Sequence, residues 1–142
     1  MKPISIIVDC DPGIDDTIAL LTAFVSPELK ILGITPVCGN QPLERTVRNA
    51  LQVCELGQRT DVPVYAGCFR PMLREPIHGQ FHGKTGLGNT VLPEPVKKAE
   101  AMSAVDFLIE ALGDAAATGE RITLCCLGPL TNLAVALRMK PG

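Results

Sequence analysis

The sequence predicts an α/β layered fold, and three observations carry that expectation. Short β-branched runs alternate with segments of helical period, each run closes in a cluster of turn-forming residues, and the 46% apolar fraction over 142 residues suits a packed core. Residues 4–8 form a buried strand between Pro3 and the turn Asp9-Cys-Asp-Pro-Gly13. Ile14, Ile18, Leu21 and Val25 then recur at helical spacing until Ser26-Pro27 stops the pattern. Residues 30–37 are a second strand, closed by Cys38-Gly-Asn40. Leu43, Val47, Ala50, Leu51 and Cys54 mark a helix that ends near Gly57, and residues 62–66 make a third, short strand. Residues 67–100 break the rhythm with Pro71, Pro76, Pro93, Pro95 and four glycines, Gly79, Gly83, Gly86 and Gly88; a loop of this length inside a compact domain is functional or mobile. Ser103, an N-cap with Asp106 three residues on, opens a helix that runs through Leu112 and ends by Gly119. Residues 121–127 are a strand, and Gly128-Pro-Leu-Thr-Asn132 opens a last helix with Leu130, Leu133, Ala134 and Leu137 on one face.

Strands alternating with helices imply parallel strands joined by right-handed crossovers, a Rossmann-like arrangement with a mostly parallel sheet and helices on both faces. The length allows one domain, residues 1–142. In such sheets ligands collect beyond the carboxyl ends of the strands. Segments 9–16, 38–40 and 127–132 are expected there, on one edge of the sheet.

Composition removes several function classes. A net charge of −2 and a pI near 5.6 provide no positive field for a phosphate backbone, and four phenylalanines, one tyrosine and no tryptophan leave little for bases to stack on. A nucleic acid partner is not expected. No apolar run approaches the roughly 18 residues that span a bilayer, and the start does not read as a signal peptide, so a soluble protein without a membrane partner is expected. The six cysteines, Cys10, Cys38, Cys54, Cys68, Cys125 and Cys126, contain no Cys-x-x-Cys pair and fall mostly in apolar segments. That usage suits buried thiols in the reducing cytoplasm and gives no zinc site.

The chemistry concentrates at the first strand-to-helix turn. Asp9, Asp11, Asp15 and Asp16 lie within eight residues. Asp9 and Asp11 point the same way in extended chain, while Asp15 and Asp16 fall in the first helical turn, where the helix dipole favours negative charge. Helix capping accounts for any one of them but not for four. Two carboxylates about 5 Å apart repel by roughly 3 kcal/mol at an effective dielectric near 20. The neutraliser is either protons, through raised pKa values, or a divalent cation held by oxygens, and the cation is favoured. Calcium and magnesium both suit such donors, whereas zinc wants His or Cys; Cys10, in a strand, faces away from both neighbouring aspartates.

These residues carry a resemblance. Asp9-Cys-Asp-Pro-Gly-Ile-Asp-Asp16 resembles the N-terminal signature of the nucleoside N-ribohydrolases, the inosine–uridine-preferring nucleoside hydrolase family. Val37-Cys-Gly-Asn-Gln41 is similar to the family's second segment and Ala66-Gly67-Cys68 to its third. His82-Gly-Lys-Thr-Gly86 is similar to its His-Gly-Glu-Ser-Gly loop, and Leu127-Gly-Pro-Leu-Thr-Asn132 to its next strand-helix junction, all in the family's order. The resemblance implies a Ca²⁺ ion, with Mg²⁺ also suited to the donors, held by Asp11, Asp16 and the backbone carbonyl of Leu127. It places Asp15 and Asn40 at the ribose and brings His82 to the nucleoside. It makes Asp11 the general base for a metal-activated water that attacks C1′ of the ribosyl group, giving free base and ribose. An oxocarbenium-like transition state needs negative charge, an activated water and bonds to the sugar hydroxyls, and a cation-carboxylate cluster offers these. Assembly as a homodimer or homotetramer is implied too.

Two departures accompany the resemblance. Lys84-Thr85 stand where the family loop often has Glu-Ser, which bears on the loop's contacts. Family members are also about twice as long, so the chain corresponds to the N-terminal portion of one nucleoside hydrolase domain. The remaining half would carry a further Asp ligand, a His near the leaving base, and Asn and Glu on the ribose. With Asp11 and Asp16 as side-chain ligands for an ion that takes about six to eight oxygens, this chain alone is expected to be weakly active or inactive. Purine or pyrimidine preference belongs to the absent half.

Rival readings have their own motifs. Asp9-x-Asp11 also resembles the nucleophile motif of haloacid-dehalogenase-like phosphoryl-transfer enzymes, but that motif wants Thr or Val where Gly13 stands, and it leaves Asp15, Asp16 and Asn40 idle. Gly83-Lys84-Thr85 lacks the earlier glycine of a phosphate-binding loop, that position being His78. His78 and His82 are spaced for zinc only on a helix, which the glycines between them disfavour. A non-catalytic fragment that binds ribose or calcium, and self-associates through an open sheet edge, is the remaining alternative.

Overall fold

The computed structural model describes residues 2–79, 81–88 and 90–141. Its elements run β1 (Ile4–Cys10), α1 (Ile14–Val25), β2 (Leu29–Pro36), α2 (Leu43–Leu56), α3 (Ala104–Thr118), β3 (Ile122–Cys126) and α4 (Thr131–Met139). The strands form one sheet in the order β2-β1-β3, both pairings parallel. Helices cover both faces, as the alternation of periods requires.

The two faces are written into β1. Ile6, Val8 and Cys10 point into a core with Leu20, Ala23 and Phe24 of α1 and Ala50, Leu51, Val53 and Cys54 of α2. Ile7 points the other way, to Val105 and Leu108 of α3 and Ala136 of α4. This period-2 division of a strand buried on both sides is what makes its sequence a near-continuous apolar run. Cys10 thus lies in the core on the face opposite Asp9, as its strand position implies.

Helix α3 begins and ends where its capping residues stand. The Ser103 hydroxyl accepts from the Asp106 N–H at 3.1 Å and donates to the Asp106 carboxylate at 2.7 Å, and Gly119 closes the helix in the left-handed conformation.

One expected element is absent. Residues 62–66 do not form a strand; Val64 makes only an isolated parallel bridge to Ile34. The bonds that exist, from Ile34 N–H to the Pro63 carbonyl at 3.0 Å and from Tyr65 N–H to the Ile34 carbonyl at 2.9 Å, are too few for a ladder. Pro63 has no N–H to donate, and the carbonyls of Val64 and Ala66 accept instead from the N–H groups of Glu100 and Ala104. The described part of 67–100 has no helix or strand. It is nonetheless tied to α2: Gln52 donates to the carbonyls of Leu92 and Pro93 at 3.1 and 2.6 Å, and the Glu55 carboxylate accepts from Lys97 N–H at 2.7 Å.

Candidate active site

The three expected segments do meet beyond the carboxyl ends of the parallel strands. Asp11, one residue past β1, is their common point. Its Oδ2 accepts from the Asn40 N–H at 2.6 Å, and its carbonyl accepts from the Asn40 side-chain amide at 3.3 Å. Two glycines make room for it. A Cβ on Gly39 would stand 2.1 Å from Asp11 Oδ2, and one on Gly128 would stand 2.7 Å from Oδ1, so neither loop could close on the carboxylate with a larger residue. The Gly128 contact brings the 127–128 segment, which carries the Leu127 carbonyl, against Asp11. Asp11 is buried, and that burial raises its pKa against the pull of the Asn40 N–H.

Asp16 lies in the first turn of α1, and its Oδ2 accepts from the Gly13 N–H at 3.2 Å. Capping therefore occupies one oxygen. Desolvation first, then the charges of Asp11 and Asp15, push its carboxyl up to about 6. Asp15, on the next position, is exposed at the rim. His82 reaches over this turn. Its Nδ1 accepts from the Ile14 N–H at 3.3 Å, taking one of the donors that a helix start leaves free, and its Nε2 lies 3.9 Å from Asp15 Oδ1. His78 turns elsewhere, with Nδ1 3.0 Å from the Gly39 carbonyl, so the two histidines do not converge on one ion.

Asp9 behaves differently from the other three. It is fully buried on the α4 side of the sheet, where Oδ2 accepts from the Thr35 hydroxyl at 2.6 Å and from the Asn132 amide at 2.9 Å. Its carbonyl accepts from Leu127 N–H at 2.7 Å, and Asn132 in turn accepts from Cys68 N–H at 2.7 Å. Burial raises the Asp9 pKa while Thr35 and Asn132 lower it, with no other carboxylate among the causes. Asp9 is thus a strut between β1, β2 and α4, and a phosphoryl group has no approach to it. The four-carboxylate cluster of the sequence resolves into Asp11 and Asp16, with Asp15 beside them.

The sequence alone assigns no role to Thr35 and Asn132, buried in this network, or to Asn49, buried where it donates to the Pro12 and Thr85 carbonyls. For Asn49 and Asn132 the available signal is a side-chain amide on the buried face of a helix, which cannot stay there without hydrogen-bond partners.

The donors present suit a hard cation in kind. Asp11 and Asp16 each give one oxygen to a main-chain N–H, their mutual charge calls for a counter-ion, and the 127–128 segment lies against Asp11. They do not make a full shell: among the described residues no group of three or more His, Cys, Asp or Glu side chains is placed to hold a metal. An open cleft of about 740 Å³ lies alongside, lined by Asp11, Asn40, His78, Phe81 and Pro129, a volume in the ~300–1,000 Å³ range of small-molecule sites.

Residues 6–142 match the family model described as inosine-uridine preferring nucleoside hydrolase. The chain belongs to that family. Among curated relatives, an uncharacterized protein of Schizosaccharomyces pombe is 48% identical over 96% of this chain and 44% of its own length. The pyrimidine-specific ribonucleoside hydrolase RihB of Escherichia coli is 45% identical over all of this chain and 44% of its own length. Among solved structures, the plant nucleoside hydrolase PpNRh1 superposes with a TM-score of 0.89 at 39% identity, over 98% of this chain and 44% of that one. The purine-preferring ribonucleoside hydrolase of Gardnerella vaginalis gives 0.88 at 35% identity, over 96% and 44%. The chain therefore spans less than half the length of these relatives. Among the described residues, no helix is long and apolar enough to cross a membrane, and all six cysteines are free thiols.

Proposed function

We propose that this chain supplies the N-terminal portion of a longer enzyme that hydrolyses the N-glycosidic bond of ribonucleosides to free base and ribose. The observation that supports this best is the seat of Asp11, a buried carboxylate held by Asn40 between two glycines where three parallel strands end. Asp11, Asp16 and the Leu127 carbonyl would hold a calcium ion, magnesium suiting the same donors. When bound, the cation supplies the positive charge that offsets the two carboxylates and makes a nearby water easier to deprotonate.

Asp11 takes the proton of the water whose oxygen bonds to C1′. The C1′–N bond breaks, its electron pair leaves with the base, and the base is protonated by a group outside this chain. Asp15 and Asn40 bind ribose hydroxyls, and the negative charge of Asp11 and Asp16 favours the oxocarbenium-like sugar. His82 approaches the nucleoside from the loop above the β1–α1 turn. Two carboxylates and a carbonyl fall short of the roughly six to eight oxygens calcium takes, so the 142-residue chain alone turns over weakly or not at all. A cytoplasmic location and assembly as a homodimer or homotetramer belong to the same reading.

A reducing-sugar assay on the full-length protein with inosine and uridine, with and without EDTA, tests it. Ribose release that EDTA abolishes, and that Asp11→Asn lowers by roughly 10²–10⁴-fold, is expected. No ribose from any common ribonucleoside in calcium would overturn it.

A further inference from the structure

Three side chains spaced four residues apart face the His82 loop from α2 and the residues leading into it. Gln41 donates through Nε2 to the Gly83 carbonyl at 3.2 Å, Arg45 through Nη1 to the Lys84 carbonyl, and Asn49 through Nδ2 to the Thr85 carbonyl at 3.0 Å. Three consecutive loop carbonyls are thus taken by Arg45 and Asn49, which share one face of α2, and by Gln41 just ahead of its N-cap Pro42. Gln41 and Arg45 are further bound to each other, Nη1 donating to Oε1 at 3.2 Å. Asn49, fully buried, also donates to the Pro12 carbonyl at 3.0 Å. One side-chain amide therefore joins the loop to the turn that carries Asp11 and Asp16. At the loop's other end the His82 carbonyl accepts from Gly88 N–H at 2.7 Å, and the His82 ring accepts from Ile14.

We infer that Gln41, Arg45 and Asn49 are positioning residues: a rail along the start of α2 and the residue before its cap that sets the register of loop 82–86 and so places His82 over the β1–α1 turn, Asn49 bracing loop and turn together. This rests on the ribonucleoside hydrolase reading for its catalytic consequence. The rail holds main-chain carbonyls only, so it is indifferent to the side chains at 84 and 85. That accounts for Lys84-Thr85 standing where relatives often have Glu-Ser without loss of the loop's seat.

Arg45 is exposed and Asn49 buried, so Arg45→Ala is the variant that keeps the fold and Asn49→Ala the stronger perturbation. Both are made in the full-length protein, alone and in a His82→Ala background, and read by hydrogen exchange over 81–88 and by kcat/KM. Arg45→Ala is expected to speed exchange in that segment and to lower kcat/KM roughly tenfold when His82 is present, since small misplacements of a contact group cost up to about 100-fold. In the His82→Ala background the same change should cost less than about twofold, because residues that act through one another are not additive. Arg45→Lys, which restores a donor, should recover most of the loss. Unchanged exchange, or costs of Arg45→Ala and His82→Ala that simply multiply, would overturn the rail. If Asn49→Ala does not fold, the Arg45 variants still decide. If the wild-type protein hydrolyses no ribonucleoside, the functional reading fails while the exchange result still tells whether the rail holds the loop.

Discussion

Asp16 is drawn in two directions, by the N–H it caps and by the carboxylates around it. Its carboxyl titrates near 6 in the folded chain against an ordinary 3.8, so the folded state binds its proton more tightly than the unfolded state does. The stability this lends is present below about pH 4 and is lost as pH rises through 6. A shift of this size is worth on the order of 2–3 kcal/mol for a group so little exposed. In EDTA, urea unfolding of the 142-residue chain should therefore show Asp16→Asn gaining on wild type between pH 4 and pH 7, since Asn keeps an acceptor for the Gly13 N–H and carries no charge. Equal pH dependence of the two proteins would show that Asp16 is not held protonated. Asp9 stands two residues from Asp11 and serves the interior instead of the cleft. Its hydrogen bonds stay inside the protein, and what it holds is Leu127 and Asn132.

At the scale of elements, boundaries followed from local chemistry wherever a cap or breaker was present. Ser103 starts α3 through its bond to Asp106 N–H, and Ser103→Ala should lower stability by about 1 kcal/mol, a drop in melting temperature of roughly 3–4 °C measured by calorimetry. Residues 62–66 show the converse. Their apolar, β-branched character reads as strand, yet Pro63 withholds a donor and the segment's carbonyls are claimed by residues 100 and 104. Helix α2 carries more than its apolar face suggests, since its polar residues grip the chain at both 84–85 and 92–97. A long proline- and glycine-rich stretch with no regular structure is thereby fastened along one helix.

At the scale of the whole molecule, β3 is an edge strand among the described residues, paired with β1, and Ile122–Cys126 contains no charged residue or proline to discourage further pairing. Separately, α3 and α4 leave an apolar groove between them, lined by Leu112, Leu133 and Leu137. An uncharged strand edge and an exposed apolar groove each favour pairing between copies of the 142-residue chain. Light scattering after gel filtration should show a concentration-dependent dimer, and Thr123→Lys, on the exposed position of β3, should shift it toward monomer. A monomer at all concentrations would show that the edge is protected.

Periodicity and turn chemistry place the helices and strands of the described residues and the three loops that meet at Asp11, with one strand too many at 62–66, because strand alternation, helical spacing and caps act over a few neighbouring residues. The family motifs stood in those same loops, so the outline of the site was readable along the chain. What each aspartate does was not. Asp9 and Asp11 share a sequence neighbourhood, but Asp9, in β1, is met by Thr35, 26 residues away, and by Asn132, 123 residues away, while Asp11, just past the strand, is enclosed by Gly39 and Gly128. Whether a carboxylate is absorbed into the interior or left facing a cleft depends on the groups that packing brings to it from distant parts of the chain. That is why folding, and not spacing, separated the strut from the candidate base.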